Sequence, residues 1–111
     1  MERKHGLETY KRFKKQHPAY FQAVETLGVV VRQAGPLDEL SLQLIQLAAA
    51  AATHSEGAVH SHTRRALEAG ATPEHIHHAL LALTSTIGFP TVVAALSWAG
   101  DVLESDESAG N

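Results

Sequence analysis

No cysteine occurs among the 111 residues of the chain. That absence excludes disulfide staples, zinc–thiolate sites, iron–sulfur ligation and every reaction that needs a thiolate. It also removes the residue from which a redox compartment is read. An excess of basic charge is missing too. Nine Lys and Arg stand against twelve Asp and Glu, a net charge of −3. This argues against general affinity for nucleic acid or anionic membrane. Six of the nine basic residues (Arg3, Lys4, Lys11, Arg12, Lys14 and Lys15) nevertheless gather near the N-terminus. Long apolar runs are absent as well. The longest, Leu47 to Ala52, is far too short to span a bilayer, and the charged start lacks the apolar core of a signal peptide. With 44% hydrophobic and 19% charged residues, the composition is that of a folded, soluble and cytoplasmic protein. We expect one domain over residues 1–104, followed by a flexible acidic tail over 105–111.

Between the termini the pattern is helical throughout. The four prolines and eight glycines fall mostly where helices must stop. Leu7 to Gln16 forms a first segment, and Pro18 opens a second that runs to about Gln33. Phe21, Val24, Leu27, Val30 and Val31 make an apolar stripe along it. A third helix opens near Leu37 with Asp38 and Glu39, acids suited to a helix N-terminus, and runs into the alanines 48–52. It is apolar nearly all round, which calls for burial on nearly every face. A chain this short has little interior to offer, so we read a contact with a second subunit.

The fourth helix spans about Ala58 to Glu68 and ends at Gly70 as a C′ glycine. Thr72-Pro73-Glu74 starts the fifth with a threonine N-cap, proline at N1 and an acid in the first turn, and the pattern carries it to about Ser85. Gly88-Phe89-Pro90 separates it from the sixth, about Thr91 to Leu103. No strand pattern competes. The expected fold is all-α with six helices.

Eight histidines are the compositional oddity. His60 and His62 are two apart on one helix, so they point to nearly opposite faces and cannot grip one ion together. Glu74, His75 and His78 share a face, but a zinc site needs three or four converging ligands. A solvated helix face is the simpler reading. We therefore expect no metal site and no cofactor. The stretch Ser55-Glu56-Gly57-Ala58-Val59-His60-Ser61-His62 carries more information. It joins a buried helix to a new one through a glycine hinge, with Glu56 at the helix mouth. His62 suits general acid–base work, because an unperturbed histidine titrates near neutrality. A partly buried histidine bonded only to structure remains the alternative.

From Leu37 to Leu103 the sequence resembles the carboxymuconolactone decarboxylase and alkylhydroperoxidase D-like family. The resemblance rests on Glu39-Leu40, on Leu44-Ile45-x-Leu47-Ala48, and on the run from His62 through Ala66-Leu67-Glu68-Ala69-Gly70-Ala71-Thr72-Pro73-Glu74. It continues in Ile87-Gly88-Phe89-Pro90 and Ala94-Ala95-Leu96. It implies an alkylhydroperoxidase D-like helical bundle that assembles with itself as a homotrimer or homohexamer. In the family's peroxidases a Cys-x-x-Cys-x-x-x-His motif works with an upstream acid. Laid on this chain, those positions fall on Ser55, Ala58, His62 and Gln43. Serine and alanine cannot cycle between thiol and disulfide, so thiol peroxidase activity is lost.

The decarboxylase branch also lacks the cysteine pair while keeping a histidine at His62 and an acid at Glu56. The resemblance thus implies His62 and Glu56 as catalytic residues. His60, Gln43, Ser55, Arg65 and Phe89 would contact a small carboxylate or lactone. His60, Arg64 and Arg65 are the cationic candidates for holding substrate carboxylates, although surface pairing with Glu68 or Glu39 would equally explain the arginines. A catalytically silent relative that binds a metabolite or protein partner is one competing reading, and a metal-binding protein, motivated by the eight histidines, is the other.

Overall fold

Each expected initiation signal starts a helix in the computed structural model, which describes the backbone of residues 2–110 and the side chains of residues 8–105. The elements are α1 (Glu2–Gln16), α2 (Pro18–Arg32), α3 (Glu39–Ala52), α4 (Glu56–Glu68), α5 (Pro73–Leu81), α6 (Thr84–Ile87) and α7 (Phe89–Gly110). Among the described residues there is no strand, and the fold is all-α. Six of these helices have nine residues or more; α6 is a single turn. The side chains of Arg3, Lys4 and His5, and those beyond Ser105, lie outside the described residues. Helical backbone runs through Gly110, across most of the segment read as a tail.

The caps are local chemistry. Asp38 has extended backbone and its carboxylate accepts from the Ser41 N–H at 2.8 Å, giving α3 an N-cap. Thr72 accepts from the His75 N–H, while His75 Nδ1 accepts from the Thr72 N–H at 3.0 Å. A histidine thus closes the capping box that glutamate usually completes. Gly70 ends α4 at φ +103°, with Ala71 N–H donating to Ala66 C=O and Gly70 N–H to Leu67 C=O. That pair of bonds is a Schellman motif.

The same motif ends α3, but with His54 in the left-handed position at φ +57°. Ser55 N–H donates to Ala50 C=O and His54 N–H to Ala51 C=O. The turn into α4 is therefore made by His54, while Gly57, read as the hinge, lies inside α4. The fifth helix also stops earlier than its pattern suggested. At Leu83 the bonding shifts to the Leu80 carbonyl three residues back, and the Thr84 hydroxyl takes the Leu81 carbonyl at 2.8 Å. A threonine that bonds locally to backbone offers the chain an alternative to continuing the helix.

The chain divides into two compact units at Leu37/Asp38. The first is the α1–α2 pair. Tyr10 and Phe21 meet edge to face at 5.3 Å, and Lys14 Nζ lies 3.1 Å from a Glu25 carboxylate oxygen. No residue of α2 is buried; Val24, Leu27, Val30 and Val31 of its apolar stripe are exposed. The second unit holds the core. There α4 packs against both α3 and α7, around Leu47, Ala51, Val59, Ala66, Ile76, Leu80, Ala95 and Ala99. The alanines leave room for close helix approach. Within the single chain, α3 keeps Ile45 52% exposed while Gln43, Leu47, Ala50 and Ala51 are buried.

Two expectations follow from these observations. The cap bond to Ser41 holds the Asp38 carboxyl below its ordinary value. Its contribution to stability is therefore complete above the usual aspartate range and is lost as pH falls through the lowered folded value. In urea unfolding, the difference between the wild type and Asp38→Ala should narrow on moving from neutral pH into acid. Thr63 on α4 is fully buried, and its hydroxyl has no hydrogen-bond partner among the described residues. A methyl in place of an unsatisfied hydroxyl should stabilise, so Thr63→Val is expected to gain about 1 kcal/mol.

Candidate functional site

Helix α4 presents two polar faces, because its periodicity separates residues that neighbour one another in sequence. Ser55, Ala58, His62 and Arg65 fall at i, i+3, i+7 and i+10 and share one side. Glu56, His60 and Thr63 share another, with the buried Val59 and Ala66 between the two sets. The sequence-derived candidates are thereby split. His62 faces the Gln43 side chain of α3, whereas Glu56 groups with His60 and with Asp101 of α7.

On the first face a chain of hydrogen bonds links three side chains. His62 Nδ1 lies 2.9 Å from Gln43 Oε1, and Gln43 Nε2 donates to a Glu39 carboxylate oxygen at 2.7 Å. Gln43 is 1% exposed and His62 is half-buried. Glu39 and Gln43 are one turn apart on α3, so the helix itself sets their spacing. The chemistry of the three groups fixes every role. An ionised carboxylate only accepts, so the amide nitrogen of Gln43 must face Glu39. Its carbonyl oxygen then faces His62 and also only accepts. His62 Nδ1 must therefore carry a proton, and the neutral ring holds its lone pair at Nε2.

On the second face His60 Nε2 lies 3.0 Å from Asp101 Oδ2. The His60 side chain is 3% exposed and that of Asp101 is 47% exposed. One carboxylate oxygen of Glu56 completes the group, with all three ligand-type atoms within 4.8 Å of one another. Asp101 was not among the sequence candidates. It lies 41 residues from His60, and only the packing of α7 on α4 brings it there.

The other candidates are placed as follows. Ser55 is the N-cap residue of α4 and is half-buried, with no side-chain cap bond. Arg64 and Arg65 are exposed on α4. Phe89 opens α7 and is 67% exposed. His54, His77 and His78 are exposed, and His75 completes the capping box of α5. Glu39, not among the candidate site residues of the sequence, is the anchor of the His62 network. The signal was present as the i, i+4 pair Glu39/Gln43, but which helix face would meet α4 was not in the local pattern.

Gln43→Leu keeps much of the volume but leaves His62 Nδ1 and the Glu39 carboxylate without their shared partner. We expect a loss of about 1–3 kcal/mol in urea unfolding. A neutral result would mean that water replaces the amide without cost.

Comparison with known proteins agrees with this architecture. A model of the carboxymuconolactone decarboxylase family matches residues 18–101. The uncharacterized protein MJ1511 of Methanocaldococcus jannaschii is 35% identical over 98 residues, covering 85% of this chain and 92% of that protein. A crystal structure of apo-lpg0406, a carboxymuconolactone decarboxylase family protein from Legionella pneumophila, aligns with a TM-score of 0.77. It covers 89% of this chain and 91% of that one at 22% identity, which speaks for the fold alone. The family match reaches beyond the Leu37–Leu103 segment into α2, and with the helical order and the relative it makes this chain a member of the carboxymuconolactone decarboxylase family.

Proposed function

We propose that this protein carries out acid–base chemistry on a small carboxylated or lactone metabolite, in the manner of a cysteine-less carboxymuconolactone decarboxylase, with His62 as the proton carrier. The Glu39–Gln43–His62 hydrogen-bond chain is the observation that supports this reading. Loss of carbon dioxide from a substrate carboxylate leaves its electron pair on carbon as a carbanion or enolate, which must take up a proton. Imidazolium His62 would supply that proton from Nε2 and return to the neutral ring, in the Nδ1–H tautomer that the Gln43 carbonyl selects. Because Nδ1–H bonds Gln43 in both states, proton traffic is confined to Nε2 and the ring need not turn over. Water would recharge Nε2 for the next turnover.

In this reading Ser55 and Arg65, on the His62 face of α4, contact the substrate, and the arginine holds a carboxylate. Phe89, exposed at the start of α7, is an outer contact. Glu56 and His60 were read as catalytic and substrate-binding; their grouping with Asp101 favours a role for them apart from the proton step. Exposed apolar side chains on α2 and Ile45 on α3 support the expected homotrimer or homohexamer. A binding-only relative is favoured by one feature: Ala58 places a methyl group on the His62 face, where a thiol peroxidase would carry its second cysteine.

Thermal-shift titration with small dicarboxylates and lactones, on wild type and His62→Ala, tests the reading. A ligand at a hundred times its dissociation constant stabilises by about 2.7 kcal/mol. We expect a shift in the wild type that His62→Ala loses, and release of carbon dioxide from the ligand that produces it. A shift that persists in His62→Ala, or binding without turnover, would contradict acid–base catalysis at His62.

A further inference from the structure

We infer that Glu56, His60 and Asp101 form a binding site for a divalent transition-metal ion between α4 and α7, on a different face of α4 from His62. Glu56 and His60 are one turn apart on α4, so their side chains rise from the same face. Asp101 meets them from the packed helix α7. The three donor atoms lie within 4.8 Å of one another. Donors about 2.1 Å from a shared ion stand roughly 3.0–3.4 Å apart. His60 Nε2 and Asp101 Oδ2, at 3.0 Å, already have that separation. Only Glu56 has to close, by no more than ~2 Å, at the end of a flexible side chain.

Charge balance points the same way. A simple tie between two helices needs one histidine and one carboxylate. Here a second carboxylate is held beside the same imidazole, and neighbouring like charges are unfavourable unless a cation compensates them. Two carboxylates and a neutral imidazole balance a divalent ion. His60 is 2% exposed, so its ring is fixed by packing and presents a pre-positioned nitrogen. Asp101, with 47% of its side chain exposed, opens the outer side to water, which can complete the coordination shell. The nitrogen ligand suits zinc, manganese or ferrous iron better than calcium or magnesium, which prefer oxygen alone.

On binding, the ion takes the Nε2 lone pair. The proton that Nε2 shares with Asp101 in the metal-free protein leaves that nitrogen, and Nδ1 carries the ring proton instead.

The test is calorimetric titration of chelator-treated full-length protein with Zn2+ and, separately, Mn2+. The expected result is one ion per chain and a raised Tm. Asp101→Asn and Glu56→Gln should each weaken binding at least ten-fold and abolish the rise in Tm. His77→Ala with His78→Ala, at exposed positions, should leave affinity unchanged. His60 is buried and its variant is exposed to misfolding, so the two carboxylate variants carry the decision. No saturable uptake of either ion would overturn the proposal. So would uptake that survives both carboxylate substitutions, or that disappears with the exposed histidines.

Discussion

One carboxylate decides which proton His62 carries. Glu39 can only accept, so it orients the amide of Gln43, and the amide in turn dictates the tautomer of the imidazole. The constraint works because Gln43 is buried, so an amide turned the other way would lose both bonds with no water to replace them. It also depends on α3 and α4 packing at a fixed register, which their Schellman-type junction at His54 helps to set. By the family resemblance, a thiol peroxidase would carry an acid where Gln43 stands here. Replacing that acid with an amide keeps an acceptor for the histidine but removes a charge that would sit beside the ring. In this chain the acid of the network is Glu39, one helical turn before Gln43.

The second consequence concerns how α4 distributes its chemistry. A helix turns about 100° per residue, so a polar cluster contiguous in sequence is scattered around the axis. Ser55 and His62 face one way, Glu56 and His60 another. The apolar Val59 and Ala66 between them belong to the core. This division lets one helix carry a proton-handling group on one face and a metal-type constellation on the other.

Much of this was legible in the sequence. The all-α class, the N-cap at Thr72 and the C′ glycine at Gly70 follow from local rules. The opposition of His60 and His62 follows from two-residue spacing alone. What could not be read was set by tertiary packing. Asp101 reaches His60 only because α7 lies against α4, and no spacing rule links positions 41 residues apart. The assignment of Glu56 to the His62 site failed to anticipate that grouping, since a residue at a helix mouth was judged by its sequence neighbours. Gly57 was read as the hinge because glycine tolerates positive φ most readily, yet the turn is taken by His54. The apolar stripe of α2 was correct as a pattern, but a two-helix unit has too little surface to bury it.

The most direct measurement is a long-range 1H–15N correlation spectrum of the imidazole of His62 in the wild-type protein, above the pH at which the ring is neutral. The account predicts a protonated Nδ1 and an unprotonated Nε2, because the Glu39–Gln43 chain leaves Nδ1 no other role. A neutral ring protonated at Nε2 would contradict it. The amide of Gln43 would then be oriented the other way, and His62 would have no lone pair at the nitrogen assigned to the proton transfer.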